Sequence, residues 1–214
     1  MPSHPPKPSI TDRLRDDILE GSLAPGTRLI ELQLTDRYGV GRAAIRSAIV
    51  ELDKEGLVVR EANRGATVRA ITVDEAIEVY EARAALEGLM ARHAAAEATD
   101  LEREALRALI PGMREAVERQ ESTRFASLGR ELHERVSRIG RHRVARGLVE
   151  TLRNQSRGHP DRLSSIPERP EQSLAEHIAI IEAICNGDGD EAQLAVERHI
   201  QSIIATLAAE AAHA

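Results

Sequence analysis

Aromatic residues are rare in this chain of 214 residues, which contains two tyrosines, one phenylalanine and no tryptophan. The core must therefore be filled by Leu, Ile, Val and Ala, which suits the packing of helices on helices. Apolar residues make up 42% of the chain and charged residues 30%, an ordinary balance for a globular protein. We expect a mainly α fold.

Cysteine and long apolar runs are also scarce. Cys185 is the only cysteine, which excludes an internal disulfide, and its apolar helical stripe predicts a buried structural thiol in a cytoplasmic protein. No stretch approaches the roughly 20 apolar residues that span a bilayer, so no membrane partner is expected. Residues 1–9 are rich in proline and lack the apolar centre of a signal peptide. We interpret them as a disordered arm.

Net positive charge is absent from the whole chain, whose formal charge is −6, but the charge is unevenly distributed. Residues 1–70 carry 11 basic and 10 acidic side chains, whereas residues 71–214 carry 18 and 25. A nearly neutral domain can bind DNA when its arginines cluster on one face. The acidic remainder is not expected to contact DNA.

The pattern of residues 10–71 predicts a winged helix-turn-helix. Apolar residues recur with helical spacing over about 10–20, 31–38 and 42–55. Two β-type runs follow, at 57–59 and 66–69, separated by a polar stretch that contains glycine. Three helices followed by a β-hairpin form the layout of this DNA-binding domain.

The rest of the chain, residues 72–214, predicts an all-helical bundle. Thr72 and Glu75 have the spacing of a capping box, which marks the start of the helical region. We expect about six helices, near residues 73–97, 100–119, 122–139, 142–157, 171–186 and 188–210.

The segment from Gly39 to Arg46 carries the most specific local signal, because a glycine turn precedes a helix that opens with arginine. Arg42 and Arg46 lie one turn apart, where a recognition helix presents side chains to base edges in the major groove. The alternative is an ordinary surface helix with two solvated arginines. The candidate DNA-binding residues, including the tip of the wing, are Gly41, Arg42, Ala43, Arg46, Asn63, Arg64 and Gly65.

Several stretches in this order and spacing resemble the GntR family, in the branch whose effector domain is the all-helical FCD type. They are residues 19–29, the Gly-Val-x-Arg segment at 39–42, and residues 52–58, 81–87 and 173–177. The resemblance implies a transcriptional repressor that binds double-stranded operator DNA as a homodimer. Gly41 departs from the family's usual Ser or Thr, and Leu32 stands where relatives can place an arginine.

Three histidines on three predicted helices point inward: His133, His177 and His199. By spacing alone they are more simply interpreted as satisfied core residues, although neutral imidazoles are also good ligands for Zn or Ni. The resemblance favours the metal, because many FCD domains bind a divalent ion through one Asp and three His. The three histidines match that set, but the Asp position is occupied by Gly129, so the only anionic ligand is missing.

The resemblance also implies a small carboxylate effector. Arg83 lies on a helix that relatives turn toward the effector cavity, where it could pair with a ligand carboxylate. An internal salt bridge is the equal alternative. Arg130 is a second candidate and Arg141 a weaker one. The remaining histidines, interpreted as surface or loop residues, are His4, His93, His142, His159 and His213.

The sequence therefore predicts a DNA-binding regulator whose operator affinity is controlled by an organic acid bound at a divalent metal. Two alternatives remain: a regulator that senses the metal itself, and a hydrolase in which three histidines hold a catalytic zinc. No Ser, Cys or Glu motif is placed as a nucleophile or base, so we expect no enzymatic activity.

Overall fold

The computed structural model describes residues 8–61, 65–156, 166 and 169–213. It confirms the expected class, a winged helix-turn-helix followed by a helical domain. Contacts separate the chain into two compact units at the junction between Ile71 and Thr72. The described part of the chain contains no helix with enough length and apolar character to cross a membrane.

The first unit contains α1 (Ile10–Leu19), β1 (Arg28–Leu29), α2 (Glu31–Tyr38), α3 (Arg42–Lys54), β2 (Val58–Glu61) and β3 (Gly65–Val68). Its antiparallel sheet has the order β1-β3-β2, with Val58 opposite Val68 at one end of the hairpin. The hairpin was predicted, but β1 was not, because a strand of two residues is too short to show an alternating pattern.

Local sequence features explain the helix ends of this unit. Ser9 and Asp12 form a reciprocal capping box at the start of α1. Gly39 ends α2 with a φ of 66°, a left-handed conformation that glycine adopts without strain, and so turns the chain into α3. Leu14, Ile45 and Leu52 are fully buried where α1 and α3 pack together.

The second unit is helical throughout its described residues. Its helices are α4 (Val73–Glu97), α5 (Asp100–Arg107), α6 (Leu109–Glu118), α7 (Ser122–Ile139), α8 (Arg143–Gln155), α9 (Arg169–Cys185) and α10 (Gly189–His213). The prediction of one helix over 100–119 was wrong, because the chain divides at Ala108 into α5 and α6. Pro111 explains the division, since proline has no N–H to donate and is tolerated only in a first helical turn.

The core of the second unit forms where α4 packs along α10 and α9. It is built mainly from aliphatic residues, together with the rings of Tyr80 and Phe125, and Leu132, Ile181 and Ile200 are almost fully buried. Cys185 is also buried, as predicted, and is a free thiol. Helix α7 completes the group of helices from which the histidines project.

Candidate functional site

Helix α3, the predicted recognition helix, presents its first turn to solvent. Its N-cap is Gly41, with φ −73° and ψ 155°, and no side chain caps the helix. Ile45, Ile49 and Leu52 hold one face in the core, whereas Arg42, Ala43 and Arg46 are exposed. The predicted DNA-reading residues of α3 therefore occupy one accessible face, which leaves them free to meet a major groove.

The two arginines of this face differ in their surroundings. Arg46 donates from Nε to both carboxylate oxygens of Glu31 on α2, each at 2.9 Å. Arg42 makes no ion pair within the described residues. In the wing, Gly65 begins β3 with a φ of 94°, while the predicted tip residues Asn63 and Arg64 lie outside the described residues.

The structure brings the three predicted histidines together. His133 on α7, His177 on α9 and His199 on α10 each offer a ring nitrogen, and these atoms all lie within 4.8 Å of one another. The ring centroids of His177 and His199 are 4.7 Å apart. His177 and His199 are buried and His133 is nearly so, which makes this cluster an interior site.

Two of the imidazoles are anchored by carboxylates. His199 Nδ1 lies 2.7 Å from Glu176 Oε2, and His133 Nδ1 lies 3.3 Å from Glu87 Oε2. A carboxylate only accepts hydrogen bonds, so a neutral imidazole in this contact carries its proton on Nδ1 and has a free lone pair on Nε2. This is the arrangement in which an outer carboxylate orients a histidine that ligates a metal.

Arginines pair with both of these carboxylates. Arg83 Nε and Arg153 Nη2 each donate to Glu87 at 2.8 Å, and Arg169 Nη1 lies 3.2 Å from Glu176. Burial by itself would raise the pKa of Glu87, but the two guanidiniums outweigh that effect and hold this pKa well below its usual value. Arg83 thus forms an internal salt bridge, one of its two predicted roles.

The third imidazole, His177, has an unsatisfied nitrogen. Its Nδ1 is buried and has no hydrogen-bond partner within the described residues. Burial, followed by the neighbouring imidazoles, lowers the pKa of His177 well below its usual value and keeps the ring neutral. Burial likewise lowers the pKa of His133 to about 4, although Glu87 opposes the shift. Neutral imidazoles are the form that binds metal ions.

Gly129 lies inside the cluster, and the ring of His177 occupies the space beside it. A Cβ atom at position 129 would lie 3.0 Å from His177 Cε1, which is tighter than most real Cβ contacts. Phe125, one turn earlier on α7, packs against the same imidazole with a centroid distance of 5.7 Å. The position that the resemblance assigns to an Asp ligand is therefore filled by a histidine ring.

Other predicted residues lie apart from the cluster. Arg130 is exposed on α7. Arg141 has a φ of 50° and pairs with Glu97 and Glu102. His142 lies in the loop before α8, in agreement with the prediction of a surface or loop residue, and its Nδ1 also caps α8 by accepting from Ala145 N at 3.2 Å. A histidine that begins a helix gives no apolar pattern by which this role could be predicted.

The anchoring residues Glu87, Arg153, Arg169 and Glu176 were missed at the sequence level. Glu87 lies four residues after Arg83, so the pair could have been found as an i, i+4 ion pair on a helix. The pairing of Glu176 with His199 joins α9 to α10, and that of Arg153 with Glu87 joins α8 to α4. Such contacts depend on packing that no local spacing shows.

A winged helix-turn-helix joined to a helical domain with a buried histidine cluster defines a DNA-binding transcriptional regulator. The family of bacterial regulatory proteins named gntR matches residues 6–68, and the FCD domain matches residues 78–202. The chain therefore belongs to the GntR family and carries an FCD domain. Both domains mark a regulator and not an enzyme.

Individual relatives agree with this assignment. The HTH-type transcriptional repressor RspR of Escherichia coli is 29% identical over 206 residues, which cover 94% of this chain and 89% of RspR. The HTH-type transcriptional regulator YdhC of Bacillus subtilis is 27% identical, over 88% of this chain and 84% of its own length. The solved structure of E. coli McbR/YncC shares the fold, with a TM-score of 0.75, 19% identity and coverage of 94% and 96%.

Proposed function

We propose that this protein is a repressor that binds operator DNA as a homodimer and responds to a small organic acid, which binds at a divalent metal in the helical domain. The observation that carries the proposal is the convergence of His133, His177 and His199, whose ring nitrogens lie within 4.8 Å of one another. A winged helix dimer would read two half-sites of an inverted repeat. RspR, a repressor by its name, supports the same direction of control here.

The donor set fits zinc or nickel. Three neutral imidazole nitrogens suit these borderline ions, and a site with three protein ligands keeps a coordination position open. Two of the rings are fixed by carboxylates, and the third has a buried nitrogen without a partner in the described structure. A bound divalent ion would supply an electrophilic centre for a carboxylate oxygen.

The buried charges favour an anionic effector. Around the histidines, the cations Arg83, Arg153 and Arg169 face two carboxylates, Glu87 and Glu176. Among the described residues, these groups carry one more positive than negative charge, and a bound metal would add two more. With no acidic side chain at Gly129, the neutralising oxygen has to come from the ligand or from water. Arg83 would act on the site indirectly, because it pairs with Glu87, which in turn contacts His133. Arg130 lies on the exposed surface of α7, so it is a candidate for effector contact only there.

Metal binding is tested on the purified protein. Elemental analysis and zinc titration of the wild type should give one ion per chain, and His177→Ala should abolish it. His93→Ala is the matched control, because His93 is an exposed histidine outside the cluster. If the wild type stays metal-free in a zinc- or nickel-replete buffer, the metal part of the proposal is wrong.

Regulation is tested by gel shifts on the DNA upstream of the regulated genes. We expect DNA binding to survive a chelator and to be released by one member of a panel of acetate, succinate and citrate once metal is present. Release by the chelator alone would instead identify a metal sensor. Arg42→Ala should weaken binding of this DNA, and no binding by the wild type would contradict the choice of operator.

A further inference from the structure

In the ion pair between Glu31 and Arg46, the guanidinium uses only its Nε group, an arrangement that a simple surface salt bridge does not require. Both hydrogen bonds leave from Nε, at 2.9 Å to each oxygen of the carboxylate. The two terminal amino groups of the guanidinium make no hydrogen bond within the described structure. The side chain is 67% exposed, so its free fork is available to a partner in solution.

The fold does not depend on this pair. Helices α2 and α3 are joined by the buried side chains of Leu34, Tyr38 and Ile45. An ion pair as exposed as this one contributes little to stability. What the pair does is restrict a long side chain that would otherwise sample many rotamers. Arg42, one turn away, is not restricted in this way by any described residue.

A restricted arginine suits the reading of guanine. The guanidinium fork matches O6 and N7 of guanine in the major groove, and a good bidentate contact discriminates against other bases by about 10- to 100-fold. Holding the fork in place before binding lowers the entropy lost when the contact forms. A carboxylate beside the groove also repels phosphate, so it disfavours an arginine that has turned toward the backbone.

We propose that Glu31 is a positioning residue that aims Arg46 at one guanine of each half-site and so determines specificity at that base. This inference rests on the proposed operator binding. Glu31 contacts no base itself; it acts through the Nε contact. Glu31 is the acidic residue in the first turn of α2, and its neighbours Ile30 and Leu32 are exposed apolar side chains.

The test is selection from a pool of random 30-base-pair duplexes by full-length protein. Wild type, Glu31→Gln and Arg46→Ala are compared. The matched control is Glu51→Gln, which removes a carboxylate from another exposed ion pair of the first unit, with Lys54. We expect the wild type to enrich an inverted repeat with one guanine favoured by about 10- to 100-fold. Arg46→Ala and Glu31→Gln should both lose that preference and keep the others.

A second measurement separates positioning from simple charge removal. On a duplex without the motif, Glu31→Gln should bind at least as tightly as the wild type because a repulsive charge is gone, whereas Arg46→Ala should bind more weakly. Glu51→Gln should leave the enriched motif unchanged. Retention of the full guanine preference by Glu31→Gln, or no change of motif in Arg46→Ala, overturns the inference. Absence of any motif with the wild type contradicts operator binding itself.

Discussion

The two units of this protein differ in where their charged side chains lie. Within the described residues, the buried charged and imidazole side chains all belong to the helical unit: Arg83, Glu87, Arg169, His177 and His199. The winged unit buries an almost purely apolar core and keeps Arg42 and Arg46 in solvent. The exposed arginines suit bases and phosphates, which approach from outside, and the buried polar cluster would suit the small ligand that we propose.

Because of this difference, a substitution in the winged unit can change function without changing stability, whereas a substitution at the buried charges of the helical unit should change both. An exposed arginine can be removed with little effect on folding, since surface ion pairs contribute little. A buried charge has lost its hydration and depends on its partners, so removal of one partner leaves the other uncompensated. Changes at the histidine cluster should therefore affect both folding and metal binding, while changes on α3 should affect DNA binding alone.

The largest expected effect is at Glu87, whose carboxylate accepts from Arg83 and Arg153 and faces His133. Glu87→Ala leaves a buried guanidinium unpaired, and we expect a loss of about 3–5 kcal/mol in the free energy of unfolding. Denaturant unfolding measures the loss, and hydrogen exchange should assign it to the helical unit.

Glu81→Gln is the matched control for Glu87, because Glu81 is exposed on the same helix. It should change stability by less than about 0.5 kcal/mol. A double variant, Arg83→Met with Glu87→Leu, should recover most of the loss, since an apolar pair can replace a buried ion pair. A loss of similar size in Glu81→Gln would show that the loss at Glu87 does not result from its burial.

The second effect is a dependence on pH that the winged unit should lack. In metal-free protein, His133 has its pKa lowered from 6.5 to about 4. Below pH 6.5, His133 therefore binds a proton in the unfolded chain but not in the folded chain. The free energy of unfolding falls as the pH drops toward 4. A shift of this size corresponds to roughly 3 kcal/mol.

Chemical unfolding in a chelating buffer between pH 7.5 and 4 measures this dependence. His133→Gln should make the pH profile less steep without flattening it, because His177, whose pKa is also lowered, keeps its contribution. His93→Gln should leave the profile unchanged because His93 is exposed. Below pH 4.5 a further loss is expected as Glu87, whose pKa is held low in the folded state, becomes protonated. An unchanged profile in His133→Gln would place the acid sensitivity elsewhere.

The same contrast explains which features of the protein could be predicted from the sequence and which could not. The winged unit was predicted in its helices, hairpin and exposed arginines because apolar periodicity and glycine positions are local signals. The inward orientation of the three histidines also followed from periodicity, since each lies on an apolar stripe. The carboxylates behind them could not be predicted, because Glu87 and His133 are 46 positions apart and meet only through the packing of α4 against α7.

Gly129 marks the limit of inference from a family pattern. The sequence indicates a lost carboxylate, whereas the structure shows that the ring of His177 lies against the glycine. A missing side chain is visible in the sequence, but the atom that takes its place is not. Gly129 thus removes a carboxylate and also leaves the space against which the ring of His177 packs.

Gly129 and Gly147 provide a matched pair for this point, since both lie within helices of the same unit. Alanine at an open helical position should stabilise by about 0.5–1 kcal/mol, and a Cβ at Gly147 meets nothing within 4 Å. At Gly129 the new Cβ would press on His177 Cε1, and overpacking costs about 1–3 kcal/mol. We expect Gly147→Ala to raise stability, and Gly129→Ala to lower both stability and zinc affinity.

Thermal unfolding and zinc titration, carried out on both variants, measure the two quantities. Equal stabilisation by the two alanines would mean that His177 moves aside freely. Undiminished zinc affinity in Gly129→Ala would mean that the position of this ring does not matter for the metal. Either result would weaken the contrast between a tightly packed interior site and an open DNA-reading face.

The smallest effect is expected at that open face, at the N-cap of α3. Gly41 already has the extended backbone of an N-cap, and a Cβ there meets nothing within 4 Å. Serine would add an oxygen that accepts from a free N–H of the first turn, with a gain of a few tenths of a kcal/mol. Alanine would restrict the backbone without supplying an acceptor, so the expected order of stability is Ser, then Gly, then Ala. Operator affinity should stay unchanged in Gly41→Ser, because Arg42 and Arg46 keep their positions; a large loss would mean that the glycine itself is needed for close approach of the helix to the DNA.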